Sequence, residues 1–234
     1  MLSRKTSLHS FYISYNKNNT TGLFFIIACT ITMEPSPIKK SEAKRLHILN
    51  TSSDLILHKG FSGVGLQEIL QSCEIPKGSF YHYFKSKESF GCELVQYYVD
   101  NYQRRLDELW RSDQSAYQKL IGYFNLWIED PDAPCSWADS CLIVKLAAEV
   151  ADLSEDMRAI MSDGVDKLIQ RIAEVIVLGK QDGSIQAETD ALTVAQVTYQ
   201  MWMGAALLSK LQKDKTPLHQ ALKATAFLLK SGQS

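Results

Sequence analysis

The residues of this chain most capable of chemistry are its cysteines, five in all: Cys29, Cys73, Cys92, Cys135 and Cys141. None is paired in a CxxC motif or set beside histidines at metal-ligand spacing, which argues against zinc and, in a reducing cytoplasm, against a disulfide framework. Cys73 falls on the apolar stripe of a short helix and Cys92 continues a later one. Cys141 stands apart. In Ala138-Asp139-Ser140-Cys141-Leu142, either Asp139 or Ser140 can cap the coming helix, which puts Cys141 in a first turn where the positive dipole end favours thiolate, the reactive form. Lys145, four residues on, adds a second positive charge, while Asp139 opposes both. A buried small hydrophobe is the competing reading of Cys141.

The second chemically suggestive stretch is Ile75 to Glu88, IPKGSFYHYFKSKE, with no acid between Ile75 and Lys87. Pro76 suits a helix start, where its missing N–H costs nothing. Lys77, Gly78 and Ser79 leave the first turn open to a bulky partner. Phe80 and Phe84, four apart, share one face and read as core together with Phe61, leaving Tyr81, His82 and Tyr83 for display. Upstream, Leu66, Ile69, Leu70 and Cys73 recur with the period of an amphipathic helix, its start capped at Gly65. Two short helices joined by the tight turn at Glu74 and Ile75 describe a helix-turn-helix whose second helix enters the DNA major groove.

The elements that must position these residues are helical. Glycine and proline are sparse after Pro76, Ala, Leu, Lys, Glu and Gln dominate long stretches, and no alternating run requires a sheet, so the expected fold class is all-α. At 234 residues and 45% hydrophobic content the chain can bury a core, and its net charge of −1 provides no global basic field, so any nucleic-acid contact must come from a local patch. Ile48, Leu49, Leu55 and Ile56 form the buried stripe of a first helix ended by Gly60. A further helix opens at Ser86. Helical spacing continues from Phe90 to Asp130, a loop follows at Asp130 to Pro134, and helices are expected over Ser140–Val150, Glu155–Gly179 and Asp190–Lys210, with a turn at Lys180 to Ser184. Residues 1–33 fall outside this pattern. Their apolar run from Leu23 to Ile31 is too short to span a bilayer and lacks a small-x-small cleavage site, so they are read as a disordered extension or as preceding a true start at Met33. The expected divisions are therefore 1–33, a DNA-binding domain over 34–90, and a helical sensing and dimerisation domain over 91–234.

From about Ser41 to Gly91 the chain resembles the TetR family of bacterial transcriptional regulators, through Gly60-Phe61, the helix over Leu66 to Cys73, KGSFYHYF and Lys85-Ser86-Lys87-Glu88. The resemblance implies a TetR-like fold: a three-helix helix-turn-helix domain plus a larger helical ligand-sensing and dimerisation domain. It implies that Gln67, Lys77, Gly78, Ser79 and Tyr81 face bases or backbone of an operator and that His82, Tyr83 and Lys87 hold phosphates. Pro76 and Gly65 depart from the Ser or Thr that many members carry there. The two long C-terminal helices look like the family's dimerisation pair, with Trp202, Met203, Gly204 and Ala205 inside the packing.

CLIVKLAAEVADLSEDMR and WMGAALLSK are also similar to the subgroup of N-ethylmaleimide reductase repressors, cysteine-based sensors of electrophiles and oxidants. That similarity implies Cys141 as the redox-sensing cysteine and Lys210 as its partner after oxidation, since a sulfenic acid can condense with a nitrogen nucleophile. The expected protein is a cytoplasmic homodimeric repressor with a double-stranded DNA operator, a small electrophile or oxidant as effector, no cofactor, no metal and no membrane contact. An alternative keeps the regulator but places a reversible apolar effector among Trp127, Trp137, Met201 and Trp202. A thiol enzyme using Cys141 with Lys145 or His219 as base lacks any triad spacing or oxyanion feature.

Overall fold

The computed structural model describes residues 40–188 and 190–230, and all nine regular elements among them are α-helices. The expectation for residues 1–33 lies outside the described residues. Helix α1 spans Lys40–Lys59 and ends where Gly60 turns at φ 80°, its N–H donating to the Ile56 carbonyl. This is the left-handed stop that glycine adopts without a Cβ penalty. Helices α2, Leu66–Ser72, and α3, Lys77–Tyr83, follow as the helix-turn-helix pair. Pro76 precedes the first helical residue as the N-cap rather than occupying it. Phe80, Phe84 and Phe90 form an aromatic cluster with centroids 5.1–5.5 Å apart, and all three side chains are fully buried.

Helix α4, Lys87–Leu109, is capped by Ser86, whose hydroxyl accepts from the Ser89 N–H. It runs without a break through residue 90, so the boundary expected there lies inside one rigid helix that belongs to both parts of the molecule. The stretch read as continuous helical spacing up to Asp130 is divided: Ser115 and Gln118 form a capping box that starts α5, Ala116–Ile128. Helix α6 covers Leu142–Leu153, α7 Glu155–Gln181 and α8 Ala191–Gln212. Ser154 caps α7, its hydroxyl accepting from the Met157 N–H. A ninth helix, Thr216–Lys230, was not anticipated; it packs on α5 and α8 through Leu218, Ala221, Thr225 and Leu229. Its apolar positions are diluted by Lys and His, which hid the period.

Helix α7 is the centre of the larger part, touching α4, α5, α6 and α8. Gly164 permits its close approach to α4, because a Cβ there would stand 2.6 Å from a Val99 methyl carbon. Trp202 is fully buried within the protomer, stacked on Phe124 at 4.6 Å and donating from Nε1 to the Thr225 hydroxyl at 2.9 Å. Trp202 and Ala205 are thus core of one chain, whereas Gly204 is exposed and Met203 half-buried.

One residue in the helix-turn-helix turn is conformationally costly. Glu74 adopts φ 53°, the left-handed region that costs a residue with a Cβ about 1 kcal/mol or more. Glu74→Gly is expected to raise the thermal midpoint by a few degrees, the relief being partly offset by the greater chain entropy of glycine. An unchanged or lower midpoint in calorimetry would count against strain at this turn.

Candidate sensing site and nucleic-acid interface

The nucleic-acid face is built on α2 and α3. Gln67, Lys77, Gly78, Tyr81 and His82 are exposed, Ser79 and Tyr83 are half-buried, and Tyr81 remains 45% accessible beside the buried Phe80. Nothing lies within 4 Å of where a Gly78 side chain would start, so the first turn of α3 is open to close approach. Lys77 Nζ sits 5.9 Å from the centre of the Tyr81 ring, placing charge and aromatic surface side by side.

Lys87 is the exception among the expected phosphate contacts. Its Nζ donates to the Phe61 carbonyl at 2.8 Å and lies 4.7 Å from the centre of the Phe61 ring. Burial pulls its ammonium below the ordinary lysine range despite nearby Glu149. The side chain ties α4 to the turn after the first helix.

Among the described cysteines there is no disulfide. Burial pushes the Cys73 thiol up, a Ser52 hydroxyl only partly opposing it, and burial followed by Asp156 and Glu88 does the same to Cys92. Both are held as thiols.

Cys141 has a different setting. It is itself the N-cap of α6, not a residue of the first turn after an Asp139 or Ser140 cap: its sulfur accepts from the Val144 N–H at 3.5 Å. Asp139 is engaged instead with Ser136, whose hydroxyl donates to its carboxylate at 2.7 Å. The Tyr98 hydroxyl donates to the same sulfur at 3.6 Å. Burial, then the neighbouring sulfur, holds the Tyr98 phenol well above the usual tyrosine range, so it stays a donor. Two donors therefore converge on one buried sulfur.

Cys141 forms part of the wall of a narrow cavity between α4, α5, α6, α7 and α8, with Tyr98, Tyr102, Gln103, Trp127 and Tyr199 among the lining residues. Its open volume is about 20 Å³, room for one water-sized group. Of the four residues expected to form an effector pocket only Trp127 lines this space. Trp137 packs instead beneath the Arg105 guanidinium at 3.9 Å and donates to Asp130, Trp202 is core, and Met201 is half-buried on α8. Large apolar residues were a poor guide here because packing between helices consumed them.

Lys210, at the end of α8, reaches back to the loop before Cys141, its Nζ donating to the Asp139 carbonyl at 3.2 Å. Burial lowers its ammonium below the ordinary lysine value, against the pull of Cys141 and Asp139 and with the help of Lys145. A larger neutral fraction makes it a better nucleophile near neutral pH. Lys145 does not contact the sulfur; its Nζ donates 3.0 Å to the His58 carbonyl in the last turn of α1. Spacing along the chain reads Tyr98 only as an apolar helix position and does not single out Gln103 or Tyr199, because helical period carries no sign of which cavity a side chain lines.

A helix-turn-helix joined by one continuous helix to a larger all-helical body is the architecture of a DNA-binding transcriptional regulator. The chain belongs to the TetR family: residues 48–90 match "Bacterial regulatory proteins, tetR family" and residues 116–225 match "Tetracyclin repressor-like, C-terminal domain". It is 38% identical over 179 residues to the HTH-type transcriptional repressor NemR of Escherichia coli (strain K12), covering 76% of this chain and 89% of that one. It is 30% identical to the transcriptional regulator AcuR of Cereibacter sphaeroides over 74% of this chain and 78% of the relative. Among solved structures, E. coli NemR in its reduced form superposes with a TM-score of 0.74 at 36% identity, covering 82% of this chain and all of that one. A TetR/AcrR-family regulator superposes equally well at 56% identity, covering 81% of this chain and 100% of that chain. Among the described residues no helix is long and apolar enough to cross a membrane.

Proposed function

We propose that this chain is a homodimeric repressor that holds a palindromic operator until Cys141 is modified by an electrophile or oxidant, so that genes for detoxification are released. The observation that carries the reading is the dual position of α6: its N-cap is the sulfur of Cys141, and its side chains Lys145 and Glu149 hold the end of α1 and the turn that follows it. The likeness to a repressor, NemR, supports the same reading.

Two reactions fit the site. An activated alkene accepts the thiolate, forming a carbon–sulfur bond while the adjacent carbanion takes a proton from solvent. A peroxide instead is reduced as the thiolate becomes a sulfenic acid, R–S–OH, and releases the leaving alkoxide or hydroxide. Attack by neutral Lys210 on that sulfur then expels water and leaves an S–N bond. Either product removes the Val144 cap and adds atoms to a cavity with space for one water.

The cavity also bears on the alternative of a reversible apolar effector. Its walls are mostly apolar and aromatic, which favours such a ligand, yet anything larger than one water-sized group must first part the helices around it. A thiol-reactive molecule must part the same helices, and the covalent bond it forms then holds it there against the overpacking. A protein with every cysteine substituted that still leaves its operator in the presence of inducer would establish the reversible route.

DNA contact has its own test. Lys77→Ala is expected to weaken operator binding across sequences and to reduce the slope of log affinity against log salt by about two, one contact per protomer, while Tyr81→Ala weakens binding with little change in slope. Unchanged affinity in both variants would refute the proposed face.

A further inference from the structure

Helix α6 grips the DNA-binding domain at main-chain groups. Phe61 N–H donates to Glu149 Oε2 at 3.1 Å, and Ser62 N–H donates to Oε1 of the same carboxylate. Lys145, one helical turn earlier and on the same face, donates to the His58 carbonyl. The two side chains thus take the donors just after α1 and an acceptor in its last turn. The His58 carbonyl is one of the acceptors that a helix C-terminus leaves unpaired, and the two N–H groups belong to the turn just beyond it. Gly60, between them, cannot carry a Cβ without one standing 2.8 Å from the Glu149 carboxylate. Lys87 closes the arrangement from α4 by taking the Phe61 carbonyl, and Ser154, just beyond α6, donates to Glu88 in the first turn of α4.

Burial pushes the Glu149 carboxyl up, but the Ser62 and Phe61 bonds and the Lys145 charge outweigh it and hold it below the usual range. At neutral pH the acceptor is a full carboxylate.

We propose that Glu149 and Lys145 form a two-point latch on the α1–α2 turn, positioning residues that set the spacing of the recognition helices and carry the state of Cys141 to them. The inference rests on the proposed switch for its second half only; the first half, that the latch orients the DNA-binding helices, stands without Cys141. Both latch residues lie on the helix that Cys141 caps, four and eight positions from it. A shift of the α6 start therefore reaches the turn through one rigid element. Backbone partners make the latch indifferent to which side chains the turn carries, and they make its loss specific to orientation rather than to core packing.

The test uses the full chain with fluorescent operator duplexes whose half-site spacing is varied in single-base-pair steps, measured by anisotropy before and after N-ethylmaleimide, with intact mass reporting Cys141 alkylation. Unmodified Glu149→Ala is expected to bind the best spacing about tenfold more weakly than wild type and to lose spacing preference, because a freed turn tolerates several separations. Glu149→Gln, which keeps one acceptor, should fall between, and Lys145→Met should shift the same way to a smaller degree. Alkylation should proceed at the wild-type rate in all three yet change their affinity less than it changes that of wild type. Glu149→Ala with the wild-type affinity and spacing profile would overturn the latch. So would an equal loss at every spacing with Lys145→Met and Glu149→Gln unaffected, the mark of general destabilisation. If alkylated wild type keeps its affinity, the Cys141 switch and the latch's signalling half fail together, while the spacing profiles still decide the orienting half.

Discussion

Alkylated wild type is expected to bind its operator roughly 5- to 150-fold more weakly than the untreated protein, the usual span of an allosteric coupling, and Cys141→Ser is expected to show no such loss. The magnitudes at the site support that size. Displacing the alkylated sulfur from the Val144 N–H disrupts a helix cap, a loss of at most the roughly 1 kcal/mol that an oxygen cap is worth. Forcing an adduct into a cavity of about 20 Å³ overpacks a core, at roughly 1 to 3 kcal/mol more. The sum is comparable with the coupling required, provided α6 moves to relieve it instead of the cavity simply swelling. Serine is itself a favourable N-cap, so Cys141→Ser should keep the fold and the untreated affinity. The measurement is a titration of labelled operator at fixed salt, before and after treatment with a quinone or hypochlorite, with mass spectrometry of the same samples. Operator release by Cys141→Ser at the wild-type dose would place the sensor elsewhere, and Cys92 would be the next thiol to substitute because it is half-exposed.

The sequence made the nucleic-acid face legible because that face depends on local rules: Phe80 and Phe84 four apart, Gly60 at a helix end, Ser86 as a cap. Each can be recognised within a few residues of chain. The sensing site depends on juxtaposition. Tyr98 and Cys141 meet across 43 positions, Lys210 and Asp139 across 71, and Glu149 and Ser62 across 87, and no periodicity encodes such distances. Lys145 shows the failure most clearly. Its spacing of four from Cys141 is real, but the side chain follows the exposed face of α6 towards α1 while the sulfur caps the helix from within. Trp137 and Trp202 pack among side chains of their own protomer, since a large aromatic residue closes a cavity as readily as it lines one.

The same reasoning relocates the proposed dimer contact. On α8 the residues Val197, Met201, Gly204, Leu208 and Leu211 recur at spacings of four, three, four and three, the repeat of a helix seam that meets another helix. Val197 is 47% accessible, Leu208 45% and Leu211 77%, while Gly204 has open space where a Cβ would start. Trp202, one step round the helix, faces the protomer interior. An apolar seam of this length is unusual on a free surface, and α7 offers Val177 and Leu178 beside it. In a two-fold interface every substitution is introduced twice, so Leu208→Glu would bury a pair of like charges in an apolar contact. The variant is therefore expected to sediment as a monomer at micromolar concentration with its helical circular dichroism intact. Its operator affinity should fall by roughly 10²- to 10⁴-fold, because two half-sites can then no longer be held at once. A duplex carrying a single half-site separates the causes: wild type and Leu208→Glu should bind it equally weakly if the lost affinity is lost bivalency. Dimeric Leu208→Glu with full operator affinity would remove α8 from the interface and return its apolar seam to an unexplained surface.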